Sequence, residues 1–499
     1  MQKAIIMAAL CFLGCRSHSA QNAVLSILIE NAKNVRCSVW IPTEVKDNYH
    51  EILLVSRKAT EQTLKLSKPC FVSLYCPDYT DNKYFNYSLY LSPGDNLEFK
   101  ADFKKADFGI TVTGKGSNNN QPLMALTDDA QLARFYKDTL PGRVINQLNT
   151  EQHTRENNLE KYIALYHPSE DYIKAWKTDL PYITADDYYA FKENNKYQIE
   201  DAYWRNYTSW QKVTDSLFTI AKLDNADALS SLHHAILTRE FLLREREHLM
   251  YLAEVQPGKF FKEWYNTDTL TGKKLLVEDN RNLVHEKIIN RYFTGKSAEF
   301  AFAVLFEDAT RESDPVNIPE IFGRFKNRYP NSVYNSMFAP AVENILANRK
   351  RLLTDKMVFM ADNGTKFNTL NDVLAAMKGK TVLVDMWGTW CGPCREEIEK
   401  YSASIRKHFK GKHLDYLYIA NMDLNNGDLW KKLIAYFDME GTHIMANKSL
   451  TDDIMAKVKG TGFPTLFIIK KDGTFEGSKS QYPVNEDMLI KQLEGDLSN

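Results

Sequence analysis

The densest chemistry in this 499-residue chain is a pair of cysteines with two residues between them, Cys391-Gly392-Pro393-Cys394. A thiol attacks only as its thiolate, and a helix start favours that anion through its free N–H groups and its dipole. The segment after Cys391 reads as a helix, because Ile398, Tyr401, Ile405 and Phe409 recur at helical spacing and Gly411 is a natural stop. Cys391 therefore opens the helix as an activated nucleophile. Cys394 lies nearly one turn on, within reach of its sulfur. Gly392 and Pro393 keep the turn tight, and proline removes only an N–H that would be orphaned there anyway. Such a pair performs thiol–disulfide exchange: Cys391 attacks a disulfide and Cys394 resolves the mixed disulfide. Zinc is the competing use of this motif, but it needs a second Cys or His pair, and His408, His413 and His443 are scattered. Neither a metal nor a cofactor is expected.

Asp385 stands six residues before Cys391, inside Thr381–Met386, an apolar, β-branched run suited to a buried central strand. A carboxyl there either faces water from a sheet edge or is buried, and the flanking Val384 and Met386 favour burial. Buried behind the helix with a raised pKa, it would shuttle the proton of Cys394.

The surrounding elements alternate strand and helix from about Lys356. Trp387-Gly388-Thr389-Trp390 is the turn into the helix. Another buried strand spans Leu414–Ala420, and a helical stretch lies near Leu429–Phe437. A helix over Leu450–Val458 has Ser449 as its cap and Asp452 in its first turn. Gly462-Phe463-Pro464-Thr465 leads into a strand over Leu466–Ile469, Lys471–Thr474 is a hairpin turn, and a last helix covers Asn485–Glu494.

Val384-Asp385-Met386-Trp387 and Trp390-Cys391-Gly392-Pro393-Cys394 resemble the active-site segment of thioredoxin. The Trp-Gly-Thr-Trp-Cys wording and the long stretch from Cys394 to Pro464 resemble the exported ResA/TlpA branch of that superfamily. The resemblance implies an α/β thioredoxin fold over 351–499, with an extra strand and helix inserted before Pro464. It implies a cis-proline at Pro464 beside the dithiol, and a partner chain received along Phe463 as a short added strand. Trp390, Gly392, Pro393, Phe463 and Pro464 become the substrate-contacting set, and Asp385 matches the family's buried acid. Glu399 occupies the position of the usual helix-kinking proline, so a straighter first helix is expected. The family implies reduction of disulfides in partner proteins, with a membrane electron donor. A Gly-Pro pair between the cysteines resembles reducing thioredoxins rather than the oxidising type with His there. The alternatives are a disulfide oxidase or isomerase, or a surface binding or scaffold protein in which this domain is subordinate.

Residues 1–20 read as a signal peptide, with Lys3 followed by an apolar run from Ala4 to Gly14 that is too short to span a bilayer. It ends either at Leu13-Gly14-Cys15, which would leave a lipid anchor on Cys15, or within Ser17–Ala20 before Gln21. Both exits place the chain in the periplasm or cell envelope. Over 21–116 the period is two, as in Leu97, Phe99, Ala101 and Phe103 alternating with Glu98, Lys100 and Asp102. Short runs at 24–29, 37–41, 52–55, 63–66, 70–75 and 86–91 complete a β-rich accessory domain, an antiparallel sandwich or barrel. Cys70 and Cys76 lie six apart on one strand and cannot bridge each other. Either pairs with Cys37, or all three are small buried residues; the second reading is favoured.

Over 117–350 the period is helical. Leu232, Ile236, Leu243 and Met250 form one stripe, with Glu240 and Arg244 paired on the exposed side. The many tyrosines, such as Tyr188-Tyr189 and Tyr203-Trp204, are expected to line helix contacts rather than a sugar groove. His233 and His234 are adjacent and face different ways, which suits no metal. Composition bounds the rest: 63 Lys plus Arg against 64 Asp plus Glu give a net charge of -1, no basic field for nucleic acid. Past the first 20 residues no apolar run reaches the roughly 18 residues of a membrane helix.

Overall fold

The computed structural model describes residues 21–498 apart from 34, 36, 42–44, 46–48, 53–57, 67, 79, 82, 123–129, 280, 312 and 481–482. The expected leader, with Cys11 and Cys15, lies outside the described residues, as does most of the run 52–55. The chain divides into two compact units, Met1–Met250 with Ile289–Ala301, and Tyr251–Ile288 with Phe302–Asn499. The division runs through the helical stretch.

Among the described residues of the first unit eight strands form two sheets: β1 (Gln21–Glu30), β2 (Cys37–Trp40), β3 (Tyr49–Ile52), β4 (Thr60–Leu66), β5 (Cys70–Asp78), β6 (Lys83–Leu91), β7 (Asn96–Asp102) and β8 (Thr111–Lys115). Their orders are β4-β1-β7-β8 and β3-β2-β5-β6. One buried cluster draws Leu25, Leu64 and Phe99 from the first sheet and Val39, Leu74 and Leu89 from the second. The alternation on β7 follows from the strand's period of two, with Leu97, Phe99 and Ala101 turned to that cluster. The first sheet is not wholly antiparallel, because β1 runs parallel to β7, with Val24 opposite Asn96. A parallel pair needs a long crossover, and the strands between β1 and β7 in sequence supply it.

The cysteines of this unit correct the favoured expectation. Ser38 pairs with Tyr75 in the antiparallel β2–β5 ladder, which brings Cys37 beside Cys76, and the two form a disulfide with Cα atoms 4.3 Å apart. Cys70 lies in the same buried cluster. Strand periodicity fixes which face a cysteine takes; only the ladder register decides which neighbour it meets.

β5 is buried on both faces, because Phe71 on its far side packs on Tyr90, Tyr172 and Trp176. The last two rings come from the helix Glu170–Ile199, and Leu159 and Tyr162 of Gly142–Tyr166 join the same cluster. Tyr188 and Trp210 are likewise fully buried, so aromatic rings do line the helix contacts. In the helix Leu232–Val255 the buried positions include Leu232, Ala235, Leu237, Thr238, Phe241, Leu242 and Leu249, whereas Ile236, Leu243 and Met250 are only half-buried. The contact face is wider than the single stripe expected, and rotated from it. Arg244 does meet Glu240, at 3.6 Å. His233 meets Asp186 at 2.9 Å and His234 meets the Leu223 carbonyl at 2.8 Å.

The second unit carries one six-stranded sheet of β9 (Met357–Phe359), β10 (Thr381–Trp387), β11 (Leu414–Asn421), β12 (Gly441–Ala446), β13 (Thr465–Ile469) and β14 (Phe475–Gly477). The order is β14-β13-β10-β11-β12-β9, with β13 and β14 antiparallel to their neighbours and the rest parallel. Alternate residues of β10 feed two buried clusters. Val382, Val384 and Met386 join Leu370, Leu450 and Ile454; Leu383 joins Ile405, Phe409, Leu489 and Leu493. The strands β9 and β14 went unmarked in the sequence because each has three residues, and β12 because its six open on Gly-Thr-His rather than on an apolar run. Asn447, not Ser449, caps the helix Lys448–Val458, its side chain accepting from the Leu450 N–H at 2.9 Å.

Candidate active site

β10 ends at Trp387, and the turn that follows delivers Cys391 to the N-cap of the helix Gly392–Glu397. Cys391 is bonded to Cys394 with Cα atoms 5.3 Å apart, and its Sγ accepts the Cys394 N–H at 3.2 Å. The helix start thus supplies a donor to the sulfur that must carry charge. Gly392 is buried and Pro393 exposed. Cys394 is fully buried and Cys391 only 3% exposed.

Trp390 is 49% exposed beside this pair. Its indole donates to the Asn421 carbonyl at 2.9 Å and stands edge-on to Phe463, ring centres 5.7 Å apart. Gly388 allows this fold-back, since a Cβ there would lie 2.5 Å from the indole nitrogen. The Phe463–Pro464 peptide is cis. Thr389 is clamped from below: its N–H and hydroxyl donate to the carboxylate of Asp423, at 2.7 and 2.5 Å, and Asp423 is fully buried. Asn421 donates to the Trp387 carbonyl at 3.0 Å. Asn421 and Asp423 were missed in the sequence. Their signal was polar residues closing an otherwise apolar strand, at the end where the turn from β10 lands.

Asp385 sits on an interior strand, since β10 pairs with β11 on one side and β13 on the other. Its Oδ1 is buried with no hydrogen-bond partner among the described residues. Burial pushes this carboxyl up to about 7, and the nearby Glu397 carboxylate adds to the rise. Glu397, 8% exposed, accepts the Val484 N–H at 3.3 Å, and burial raises its own pKa. Asp385, Glu397, Tyr416 and Pro464 line one cavity of about 50 Å³. Sequence reading did not single out Glu397. It lies three residues beyond Cys394 and so on the same helix face.

The helix does not run straight past Glu399 as expected. Ile398–Ser402 forms a π-helical turn between the α-helical pieces Gly392–Glu397 and Ala403–His408. A widened turn breaks the regular ladder where a proline would otherwise do so. Glu399, within it, accepts a hydrogen bond from the Ser313 hydroxyl.

Of the residues singled out in the sequence, Trp390, Cys391, Gly392, Pro393 and Cys394 share one turn, Phe463 reaches them through Trp390, and Pro464 and Asp385 meet at the cavity. Cys37, Cys70 and Cys76 belong to the other unit. Among the described residues no group of three His, Cys, Asp or Glu side chains is arranged to hold a metal ion. No helix among them is long and apolar enough to cross a membrane. The arrangement offers a dithiol–disulfide pair with an N–H at one sulfur and an aromatic surface beside it.

No family model matches the sequence. Thiol-disulfide oxidoreductase ResA of Bacillus subtilis is 25% identical over 142 residues, 28% of this chain and 71% of that protein. ResA of Bacillus cereus is 29% identical over 132 residues, 25% of this chain and 65% of that protein. The thioredoxin-like protein YneN of Bacillus subtilis is 26% identical over 101 residues, 20% of this chain and 55% of its own length. The chain thus spans between 55% and 71% of the length of these relatives. Among solved structures, the thioredoxin domain of a thiol-disulfide oxidoreductase from Bacteroides vulgatus is 24% identical, over 24% of this chain and 82% of that one, with a TM-score of 0.21.

Proposed function

We propose that about a quarter of this chain is a thioredoxin-like thiol–disulfide oxidoreductase domain, and that the protein reduces disulfides of exported partner proteins through Cys391 and Cys394. The observation that carries the reading is the Cys394 N–H aimed at the Cys391 sulfur at 3.2 Å, at the start of a helix. The Cys391 thiolate attacks one sulfur of the partner's disulfide, and the other partner sulfur leaves as a thiolate that takes up a proton. Cys394, deprotonated toward Asp385 and Glu397, then attacks Cys391. The second partner thiol departs, and the Cys391–Cys394 bond forms. Two electrons and two protons pass to the partner, so an electron donor must restore the dithiol; a membrane protein fills that role.

Trp390, Gly392, Pro393, Phe463 and Pro464 receive the partner's chain around its cysteine. Export through residues 1–20, with an anchor at Cys15, places the reaction in the periplasm or cell envelope. We read 21–116 and 117–350 as accessory parts ahead of the redox domain at 351–499.

Equilibrating the full chain in glutathione buffers tests the direction. A potential nearer that of thioredoxin, roughly -270 mV, than that of DsbA, roughly -120 mV, is expected; a value at the oxidising end would overturn the reductase reading. Cys394→Ser should trap partners as mixed disulfides while Cys391→Ser does not, and the reverse pattern would exchange the two roles.

A further inference from the structure

We propose that Asp314, on the segment ahead of the six-stranded sheet, is a positioning residue that sets the redox balance of the Cys391/Cys394 couple by holding Arg395. This rests on the oxidoreductase reading above. Arg395 directly follows Cys394, and its N–H donates to the Cys391 carbonyl at 3.1 Å. Its guanidinium is almost buried. Nη1 donates to the Thr389 carbonyl at 2.5 Å, and Nη2 lies 3.8 Å from the Asp314 carboxylate, whose side chain is 12% exposed. Thr389, two residues before Cys391, is gripped on its other side by Asp423. A row of buried charged and polar groups, Asp423, Thr389, Arg395 and Asp314, therefore brackets the turn that presents the nucleophile.

Asp314 is itself fixed. Its N–H donates to the Ala309 carbonyl at 2.8 Å, and its carbonyl accepts from the Asn282 side chain at 3.2 Å. The neighbouring Ser313 adds a second tether through Glu399. Residues of the helical stretch thus reach the helix that carries the dithiol at two points, one of them an ion pair.

The consequence has a sign. A buried cation beside the helix start favours thiolates, hence the reduced form of the couple, and the field acts strongly where water is excluded. Asp314 opposes that field and keeps the couple more reducing. Asp314→Asn preserves shape while removing the charge, so the Cys391 ionisation midpoint falls and the couple becomes more oxidising. Arg395→Gln does the opposite, and Arg395→Lys, which keeps the cation, stays nearer the wild type than Gln does. A residue that only braced the turn would lower the melting temperature in each variant without moving the potential in opposite directions.

The test is redox titration of the full chain and its variants in glutathione buffers, with the pH midpoint of Cys391 alkylation as a second readout. The expected shift is three- to tenfold in the exchange constant, up to about 30 mV for the two-electron couple. A wild type that does not exchange with glutathione sinks the oxidoreductase reading itself. A wild type that does, with Asp314→Asn within twofold of it, sinks this inference alone. If Asp314→Asn fails to fold, the two Arg395 variants decide, and equal shifts for Gln and Lys overturn the proposal.

Discussion

The described residues hold two disulfides of the same chemistry in opposite settings. Cys37 and Cys76 are both fully buried on neighbouring strands, 39 residues apart, inside an apolar cluster with Val39 and Leu74. Cys391 and Cys394 are three apart at a helix start, beside the half-exposed Trp390 and in front of two carboxyls whose pKa values burial raises. A thiolate could neither form nor meet a partner in the first setting, because no solvent reaches it and desolvation favours the neutral thiol. In the second, an N–H points at the Cys391 sulfur, and Asp385, the proposed proton acceptor, lines a cavity with Glu397 of the same helix. The bond alone says nothing about use; the donors and the access around it do.

Substitution separates the two most sharply. Cys391→Ser should cut disulfide reduction at least a thousandfold while leaving the melting temperature of the protein nearly unchanged, since it deletes the nucleophile and little packing. Replacing Cys37 and Cys76 together with alanine should do the reverse. Turnover persists, but stability falls by roughly 4 kcal/mol, the loop-closure value for a span of 39 residues. Insulin reduction and denaturant unfolding measure the two effects. Lost turnover in the double variant, or turnover retained in Cys391→Ser, would erase the distinction.

Asp385→Asn probes the acid that accompanies only the second disulfide. Turnover near pH 7 should slow about tenfold, and the wild-type inflection near pH 7 should vanish from the pH–rate profile. Stability gives an independent sign. A carboxyl raised to about 7 in the fold, from an ordinary value near 4, binds a proton more tightly folded than unfolded. Its contribution is full below about pH 4 and is lost as the pH rises through 7. The variant should therefore be more stable than the wild type at pH 8, by on the order of 2–4 kcal/mol, with the advantage gone at pH 4. Equal stability at pH 8 would place this carboxyl in water.

This asymmetry was half legible in the sequence. The helix start at Cys391 could be read from the spacing of Ile398, Ile405 and Phe409, and the interior position of β10 from the unbroken apolar run around Asp385, because both depend on local periodicity. The Cys37–Cys76 bridge could not be read, since periodicity fixes faces and leaves strand neighbours open. The clamp from Asn421 and Asp423 was hidden for the same reason: it spans 34 residues and depends on which strand lies beside β10. At Glu399 the local rule misled. Loss of a proline implies a regular helix, yet the turn is π-helical, and its glutamate is tied to Ser313, 86 residues away.

The smallest effect concerns access. Trp390 presents about half its surface beside Cys391 and props Phe463, whereas nothing of Cys37 or Cys76 reaches solvent. If this indole guides a partner's chain, Trp390→Ala should raise KM for a protein disulfide three- to tenfold at nearly constant kcat, because contacts made equally before and during exchange change binding alone. A small disulfide such as oxidised glutathione, which needs no such surface, should react with the variant at close to the wild-type rate. A matching loss with both substrates would instead mean that the indole maintains the turn through its bond to Asn421, and that access to the second disulfide depends on Cys391 itself rather than on the aromatic edge beside it.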